Sequence, residues 1–237
     1  MKHLKIGTWN LRHGGGKRIS GISEAISENN EVDIFVFTEF RNNQNKPLLE
    51  SVLSDLGYKF IKTVSFEIAK TLNSVLVASK IDFTASDFSE LEEHKQRVLK
   101  IKVAQFTIYA CYFPLDKVKK SVFDFLLKEI QENGTENLMI VGDINTGKHL
   151  TDETGKTFIH AAYLDKFEEN GLIDAWRKAH NDKKEYSWFS NIGNGFRIDH
   201  FFVDKNLSEN IISCEYVHTY RENKVSDHSM MILKLEI

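Results

Sequence analysis

Apolar residues along this chain fall into two kinds of pattern. Short runs rich in β-branched and aromatic residues read as strands: Lys5–Trp9, Asp33–Phe37, Tyr58–Thr63, Ser74–Ala78, Val98–Val103, Phe106–Tyr112, Leu138–Val141, Arg197–Val203, Ile211–Val217 and Met230–Leu235. Three other stretches space their apolar residues three and four apart, which is one face of a helix. They are Ile19, Ile22 and Ile26; then Leu48, Leu49, Val52, Leu53 and Leu56; then Val118, Val122, Phe125, Leu126 and Ile130, with Asn133-Gly134 as the C-terminal stop of the third. Strand and helix alternate at first, whereas residues 58 to 112 read as consecutive strands, so sheets packed face to face with helices outside are expected. No Pro/Gly/Ser-rich linker interrupts the pattern, and residues 1–237 are read as one α/β domain.

Composition changes this picture little. At 237 residues the chain is long enough to bury a core without disulfides or structural metals. The two cysteines, Cys111 in an apolar run and Cys214 alone, form no Cys-x-x-Cys and read as buried free thiols of a reducing compartment. The longest apolar runs are strand-sized, far short of the roughly 20 residues that span a bilayer. The first residues carry no apolar signal core, so a cytoplasmic protein without membrane contact is expected, and no obligate protein partner is evident. With 31 Lys+Arg against 34 Asp+Glu, the net charge of −3 gives no bulk attraction to nucleic acid, although a local basic groove remains compatible with it.

The chemistry concentrates where polar residues end hydrophobic strands. Asn10 closes the first strand, Glu39 the second, Asp143 and Asn145 follow Leu138–Val141, Asp199 sits within Phe196–Val203, and Asp227-His228 precedes the last strand. Any one of these carboxylates has a plain reading as a strand terminus, and Arg197 offers Asp199 a structural partner. A carboxylate among apolar residues is costly unless paired, hydrogen-bonded or bound to metal, and several together imply a cation. Oxygen donors without paired His or Cys suit Mg²⁺, with Mn²⁺ as a substitute, better than Zn²⁺.

Near-matches to phosphate loops do not survive inspection. Gly142 to Lys148 nearly spells Gly-x4-Gly-Lys-[Ser/Thr], but His149 stands where a hydroxyl belongs and Asp143 would set a negative charge beside the phosphates. Glu153 to Thr157 lacks the upstream glycine, since position 150 is Leu. Gly14-Gly15-Gly16-Lys17-Arg18 joins a strand to a helix and reads either as a phosphate-holding turn or as a surface turn.

Taken in order, Thr8-Trp9-Asn10, Thr38-Glu39, Tyr112-Phe113-Pro114, Gly142-Asp143-Ile144-Asn145, Gly171 to Arg177, Tyr186-Ser187-Trp188-Phe189, Arg197-Ile198-Asp199 and Ser226-Asp227-His228 resemble the endonuclease/exonuclease/phosphatase family, and within it the exonuclease III branch of abasic-site DNA repair enzymes. The resemblance implies a four-layer α/β/β/α sandwich, two central, mostly antiparallel mixed sheets flanked by helices, and metal-dependent phosphoester hydrolysis at one sheet edge. It implies Glu39 as the direct metal ligand with Asn10 beside it, and Asp227 as either a metal residue or a support behind the ligands. It implies Asp143 as the group that orients or deprotonates water, Asn145 as its companion, His228 with Asp199 behind it on the phosphate, and Tyr112 as a phenol donor, although core packing is the rival reading for Tyr112. Lys17, Arg41 and Arg177 are candidate substrate cations; Arg12, standing where abasic-site enzymes often carry an acid, is another; Trp188 is a candidate stacking residue with core packing as its rival. The remaining histidines read as surface or packing residues, His149 being the expected exception. Leu115 stands where the branch usually carries a polar amide.

Three functions follow: a Mg²⁺-dependent DNA endonuclease or 3′ exonuclease of repair type, a hydrolase of a small phosphoester or RNA end, and a non-catalytic nucleic-acid-binding regulator. Setting aside Glu39, Asp143, Asp199 and Asp227 leaves 30 of the 34 acids against 31 bases, so the remainder of the chain is near neutral.

Overall fold

The computed structural model describes residues 3–67 and 69–237. Two six-stranded sheets form its centre. The first has the order β13-β14-β1-β2-β4-β3, built from β1 (His3–Asn10), β2 (Ile34–Phe40), β3 (Phe60–Thr63), β4 (Ser74–Ser79), β13 (Ile211–Val217) and β14 (Met230–Glu236). The second has the order β5-β6-β7-β8-β12-β9, from β5 (Thr84–Ser86), β6 (Val98–Val103), β7 (Phe106–Tyr112), β8 (Leu138–Asp143), β9 (Leu172–Asp174) and β12 (Asp199–Asp204). A small hairpin of β10 (Trp188–Phe189) and β11 (Gly195–Phe196) stands apart. Within the two sheets β1 pairs with β2 and β7 with β8 in parallel, and all other described pairings are antiparallel.

The alternation of side chains builds the layers. Ile34 and Val36 of β2 point inward to meet Leu99, Ile108, Met139 and Val141 of the facing sheet, while Phe35 and Phe37 point outward against α1 (Ile19–Glu28) and α2 (Lys46–Asp55). The outer face of the second sheet likewise receives α3 (Lys120–Asn133) and α4 (Ala162–Glu169), through Phe123, Leu126, Leu164 and Phe167 on Tyr109, Ile140 and Phe202. A strand covered on both faces reads as a continuous apolar run, which is why these strands were visible in the sequence. The four-layer sandwich with mixed sheets is therefore observed.

All ten expected strands and three expected helices occur, and Gly134 caps α3 at φ 75°. The sequence reading omits β5, β9, β10 and β11, each of two or three residues and too short to show a period of two. It also omits α4, α5 (Ala175–His180), α6 (Lys205–Ser208) and α7 (Thr219–Glu222). One boundary differs in a way that matters: β12 begins at Asp199 rather than at Arg197, so Asp199 stands at a strand's entrance and not inside it. Among the described residues, no helix is long and apolar enough to cross a membrane.

Candidate active site

Parallel pairing brings the C-terminal ends of β1 and β2, and of β7 and β8, to one end of the sandwich, where ligands collect in open α/β sheets. Register then aligns the side chains. Tyr112 lies beside Asp143, Asp143 beside Asp199, and Asn10 beside Thr38. Gly142, at φ 137°, lets β8 approach β7 closely: a Cβ there would lie 2.0 Å from the Cys111 carbonyl oxygen. In β2 an irregularity between Phe37 and Phe40 interrupts pairing with β4, and Glu39 takes a left-handed φ of 50°. These devices open onto a cavity of about 360 Å³ that contains Glu39, Tyr112, Asp143, Asn145, Asp227 and His228, faced by Leu115, Phe158, Trp188, Phe196 and Ile198.

On one side of the cavity, His228 Nδ1 lies 2.8 Å from Asp199 Oδ2, and its Nε2 lies 4.0 Å from Asp143 Oδ2. Burial opposes a charge on His228, but the Asp199 carboxylate overrides it and lifts the imidazole to about 10. Burial also raises Asp143, and the Asp199 and Glu39 carboxylates raise it further. Each Asp143 oxygen is pinned: Oδ2 accepts from Asn10 Nδ2 at 2.9 Å and Oδ1 from the Asn145 amide at 2.9 Å. Asp199 is held from behind. Ser187 Oγ accepts its amide at 3.3 Å and Tyr216 donates to its carbonyl at 2.6 Å, while its Oδ1 is buried with no partner among the described residues.

On the other side Glu39 Oε1 accepts from the Tyr112 hydroxyl at 3.2 Å, and Oε2 accepts from the His13 amide at 2.8 Å with His13 Nδ1 at 2.7 Å. Burial raises the Tyr112 phenol, and the Glu39 and Asp143 carboxylates add to it, so the phenol keeps its proton to donate. Asn73 ties the group together, reaching Tyr112 at 3.3 Å and His13 at 3.2 Å while accepting from Arg41 Nε at 2.6 Å. His13 corrects the sequence reading, which placed it among surface or packing residues. It enters the cavity because Arg12, His13, Gly14, Gly15 and Gly16 are five consecutive left-handed residues that turn the chain back over Glu39. The three glycines were the signal for such a turn, but nothing local told which side chain it would deliver. Asn73, Phe158 and Phe196 were also missed, since each comes from a loop or a two-residue strand.

The donor set fits a hard divalent cation. Four carboxylates, Glu39, Asp143, Asp199 and Asp227, face the cationic His228 and Arg12, the latter 3.7 Å from Asp227. Asp143, Asp199 and His228 offer ligand atoms within 4.8 Å of one another, but His228 Nδ1 and Asp199 Oδ2 are already bonded to each other. Glu39 and Asp227, both on the cavity wall, are the better holders. Asn10 turns its amide nitrogen to Asp143 and its oxygen to the Arg12 amide at 2.8 Å, and so lies between the two groups.

Other expected residues are placed elsewhere. Arg197 does not serve Asp199; its guanidinium bonds Asp152 at 2.7 and 3.1 Å and Asp174 at 3.1 Å, all fully or nearly fully buried. Arg177, expected to hold substrate, joins the same network through Asp152 and donates to the carbonyls of Asn181 and Lys183 at 3.0 and 2.7 Å. His149 pairs with buried Glu153 at 2.8 Å rather than with the acid cluster. Glu153 also accepts the Thr157 and Phe158 amides, which seats Phe158 on the cavity. Trp188 lines the cavity with a bridge to His228, whereas Phe189 is exposed under Arg221. Lys17 is exposed on the glycine turn.

The model of the endonuclease/exonuclease/phosphatase family matches residues 7–228. Among solved structures the chain is similar to an AP endonuclease from Archaeoglobus fulgidus, at 20% identity and a TM-score of 0.82 over 99% of this chain and 100% of that one. It is similar also to the 3′ phosphatase NExo from Neisseria bound to a product DNA hairpin, at 21% identity and a TM-score of 0.80, with the same coverage. A third likeness is an AP endonuclease from Leishmania major, at 16% identity and a TM-score of 0.77, covering 100% of this chain and 88% of that one. Comparison with curated protein sequences finds no match.

Proposed function

The chain belongs to the endonuclease/exonuclease/phosphatase family, and from that membership we propose that it is a divalent-cation-dependent phosphoester hydrolase acting on DNA, as an endonuclease or 3′ exonuclease of repair type. The observation that carries this reading is the buried chain of Asp199, His228 and Asp143 opening on one cavity with Glu39.

Each residue has a physical task. Asp143, raised by its surroundings, is matched to accept a proton from an attacking water near neutral pH. As the water oxygen bonds to phosphorus, its proton passes to Asp143 while the bond from phosphorus to the leaving oxygen breaks. His228, held cationic by Asp199, neutralises charge gathering on the phosphate oxygens in a water-poor setting where such interactions are strong. Asn145, which gives one amide hydrogen to the Phe113 carbonyl, would hold the water or a phosphate oxygen with the other, and the Tyr112 phenol would protonate the leaving oxygen. Glu39 and Asp227, with Asn10 beside them, would hold Mg²⁺ or Mn²⁺, which when bound supplies charge neutralisation on the phosphoryl oxygens.

Two features support DNA. The apolar wall of Leu115, Phe158, Trp188, Phe196 and Ile198 suits the sugar or ring flanking the phosphorus, and Arg12 beside Asp227 and Arg41 beside Asn73, with exposed Lys17 on the glycine turn, would meet neighbouring phosphates. The structural neighbours named as an AP endonuclease and a 3′ phosphatase point the same way. One observation favours a smaller phosphoester or RNA end instead: Arg177 is committed to a buried network and leaves the groove a cation poorer. The convergence of Tyr112, Asp143, Asn145 and His228 on one cavity, with Asp199 bonded behind His228, speaks against a regulator without chemistry.

The test is cleavage by purified protein with Mg²⁺, Mn²⁺ or EDTA of duplex DNA bearing an abasic analogue, plain duplex, a 3′-phosphate end, single-stranded RNA and a chromogenic diester. Cleavage of the DNA substrates that EDTA abolishes and Glu39→Gln cripples is expected. Cleavage of the chromogenic diester alone would remove DNA as substrate while keeping the chemistry, and no cleavage with either metal would remove both.

A further inference from the structure

Among the described residues Lys119 is the only buried lysine, 3% exposed. It ends a 3₁₀ turn, Asp116–Lys119, and stands at the N-cap of α3, whose first turn holds no acidic residue. Stability is not served by this placement. An ammonium loses its hydration on burial, and a cation at a helix N-terminus meets the positive end of the helix dipole. Burial pushes the ammonium down to about 8, against the opposing pull of Asp143 and Asp116. Its hydrogen bond goes to a neutral acceptor, the carbonyl oxygen of Asn145.

Asn145 is itself constrained. It occupies the left-handed region at φ 53°, its amide donates to Asp143 Oδ1 at 2.9 Å, and its side-chain Nδ2 donates to the Phe113 carbonyl at 2.8 Å. The Lys119 bond is a third tie, and the three together leave one Nδ2 hydrogen and Oδ1 for the cavity that Asn145 lines. Resting on the hydrolase reading above, we infer that Lys119 is a positioning residue: by gripping the Asn145 carbonyl from beneath, it fixes the turn from Asp143 to Asn145 so that both side chains stay aimed at the reacting phosphate. Misplacement of a reacting group by about 1 Å costs on the order of 100-fold in rate, so the grip has a measurable value even though Lys119 touches no substrate.

The experiment is a double-mutant cycle in the full chain with Mg²⁺, using a substrate that the wild type cleaves. Lys119→Met should lower kcat about 10- to 100-fold with KM within about 3-fold, and the melting temperature should hold or rise because a buried charge is gone. In an Asn145→Ala background the same substitution should cost at least about 3-fold less than in the wild type, because the share acting through the Asn145 side chain is already gone while the hold on Asp143 remains. A kcat loss below 3-fold, losses that multiply in full, or a melting temperature that falls with the rate would each overturn the inference. Wild-type protein that cleaves nothing would sink the hydrolase reading instead. The hold on the turn is then read from ¹⁵N NMR, where Lys119→Met should shift the Asp143 and Asn145 amides, and an unchanged spectrum overturns it.

Discussion

Two buried charge clusters lie two residues apart on the entrance to β12, and they are built on opposite principles. Around Arg197, two arginines meet two aspartates. Burial would raise Asp174 and Asp152, but Arg197 outweighs it and holds both below the usual carboxylate range, while His200 adds a contact to Asp174 at 3.3 Å. Around Asp199, four carboxylates share fewer cations, Asp143 is raised, and one Asp199 oxygen has no partner among the described residues. The first cluster is electrostatically closed and fastens the loop carrying Asp152 to β12 and α5. The second is open, and an open cluster is what a cation or a phosphate needs. Charge balance, more than burial, separates the structural pair from the chemical one.

That contrast can be broken from either side. The largest effect is expected from Asp143→Asn, which should lower kcat by about 10³- to 10⁴-fold while the metal-free protein melts no lower, because a crowded carboxylate has been removed; a melting temperature several degrees lower would show that the open cluster is structural after all. Arg197→Met should do the reverse, costing about 3–5 kcal/mol in denaturant unfolding because buried Asp174 loses its guanidinium and buried Asp152 keeps Arg177 alone. A loss under about 1 kcal/mol would contradict the closed-network account.

Asp199→Asn sharpens the comparison through pH. Asp199 raises both His228 and Asp143, so its removal should move both limbs of the rate profile to lower pH, with kcat reduced about 10- to 100-fold. The His228 contribution to stability is complete below its ordinary value of 6.5 and is lost as pH climbs to about 10. Asp143, also raised, adds a cost as it ionises. Metal-free wild type should therefore melt lower as pH rises from 6.5 to 10, and Asp199→Asn should flatten that decline; identical slopes in the two proteins would refute the coupling. The smallest effect belongs to Arg177→Gln. Because its guanidinium is spent on carbonyls and Asp152, KM for DNA should change by less than about 2-fold, whereas removal of a phosphate contact would weaken binding and reduce its salt dependence.

Much of the candidate site is legible in the sequence, and particular residues show why. Glu39, Asp143 and Asp227 stand at the ends of apolar strands, where a two-residue alternation gives way to a polar side chain, and all three reach the cavity. His13 was not legible, since a left-handed run of five residues sends it back over Glu39 by a path that no periodicity encodes. Arg177 was misread as a substrate cation, and the alternative of Arg197 as partner to Asp199 fails, because sequence proximity does not decide which charges meet in space: Arg197 is two residues from Asp199 yet bonds Asp152, 45 residues away. Phe158 reaches the wall only because buried Glu153 gathers the amides of its own loop.

The sequence by itself determined the alternation of inward and outward side chains, the three main helical faces, and the order in which acid and amide residues close the strands, because those features repeat over two to four residues and are set by local geometry. Tertiary structure alone decided which carboxylates are answered. Asp199 meets His228 across 29 residues and Asn10 meets Asp143 across 133. Strand order and register fix those distances, and Coulomb energies in a buried site depend on distance and surroundings rather than on position along the chain.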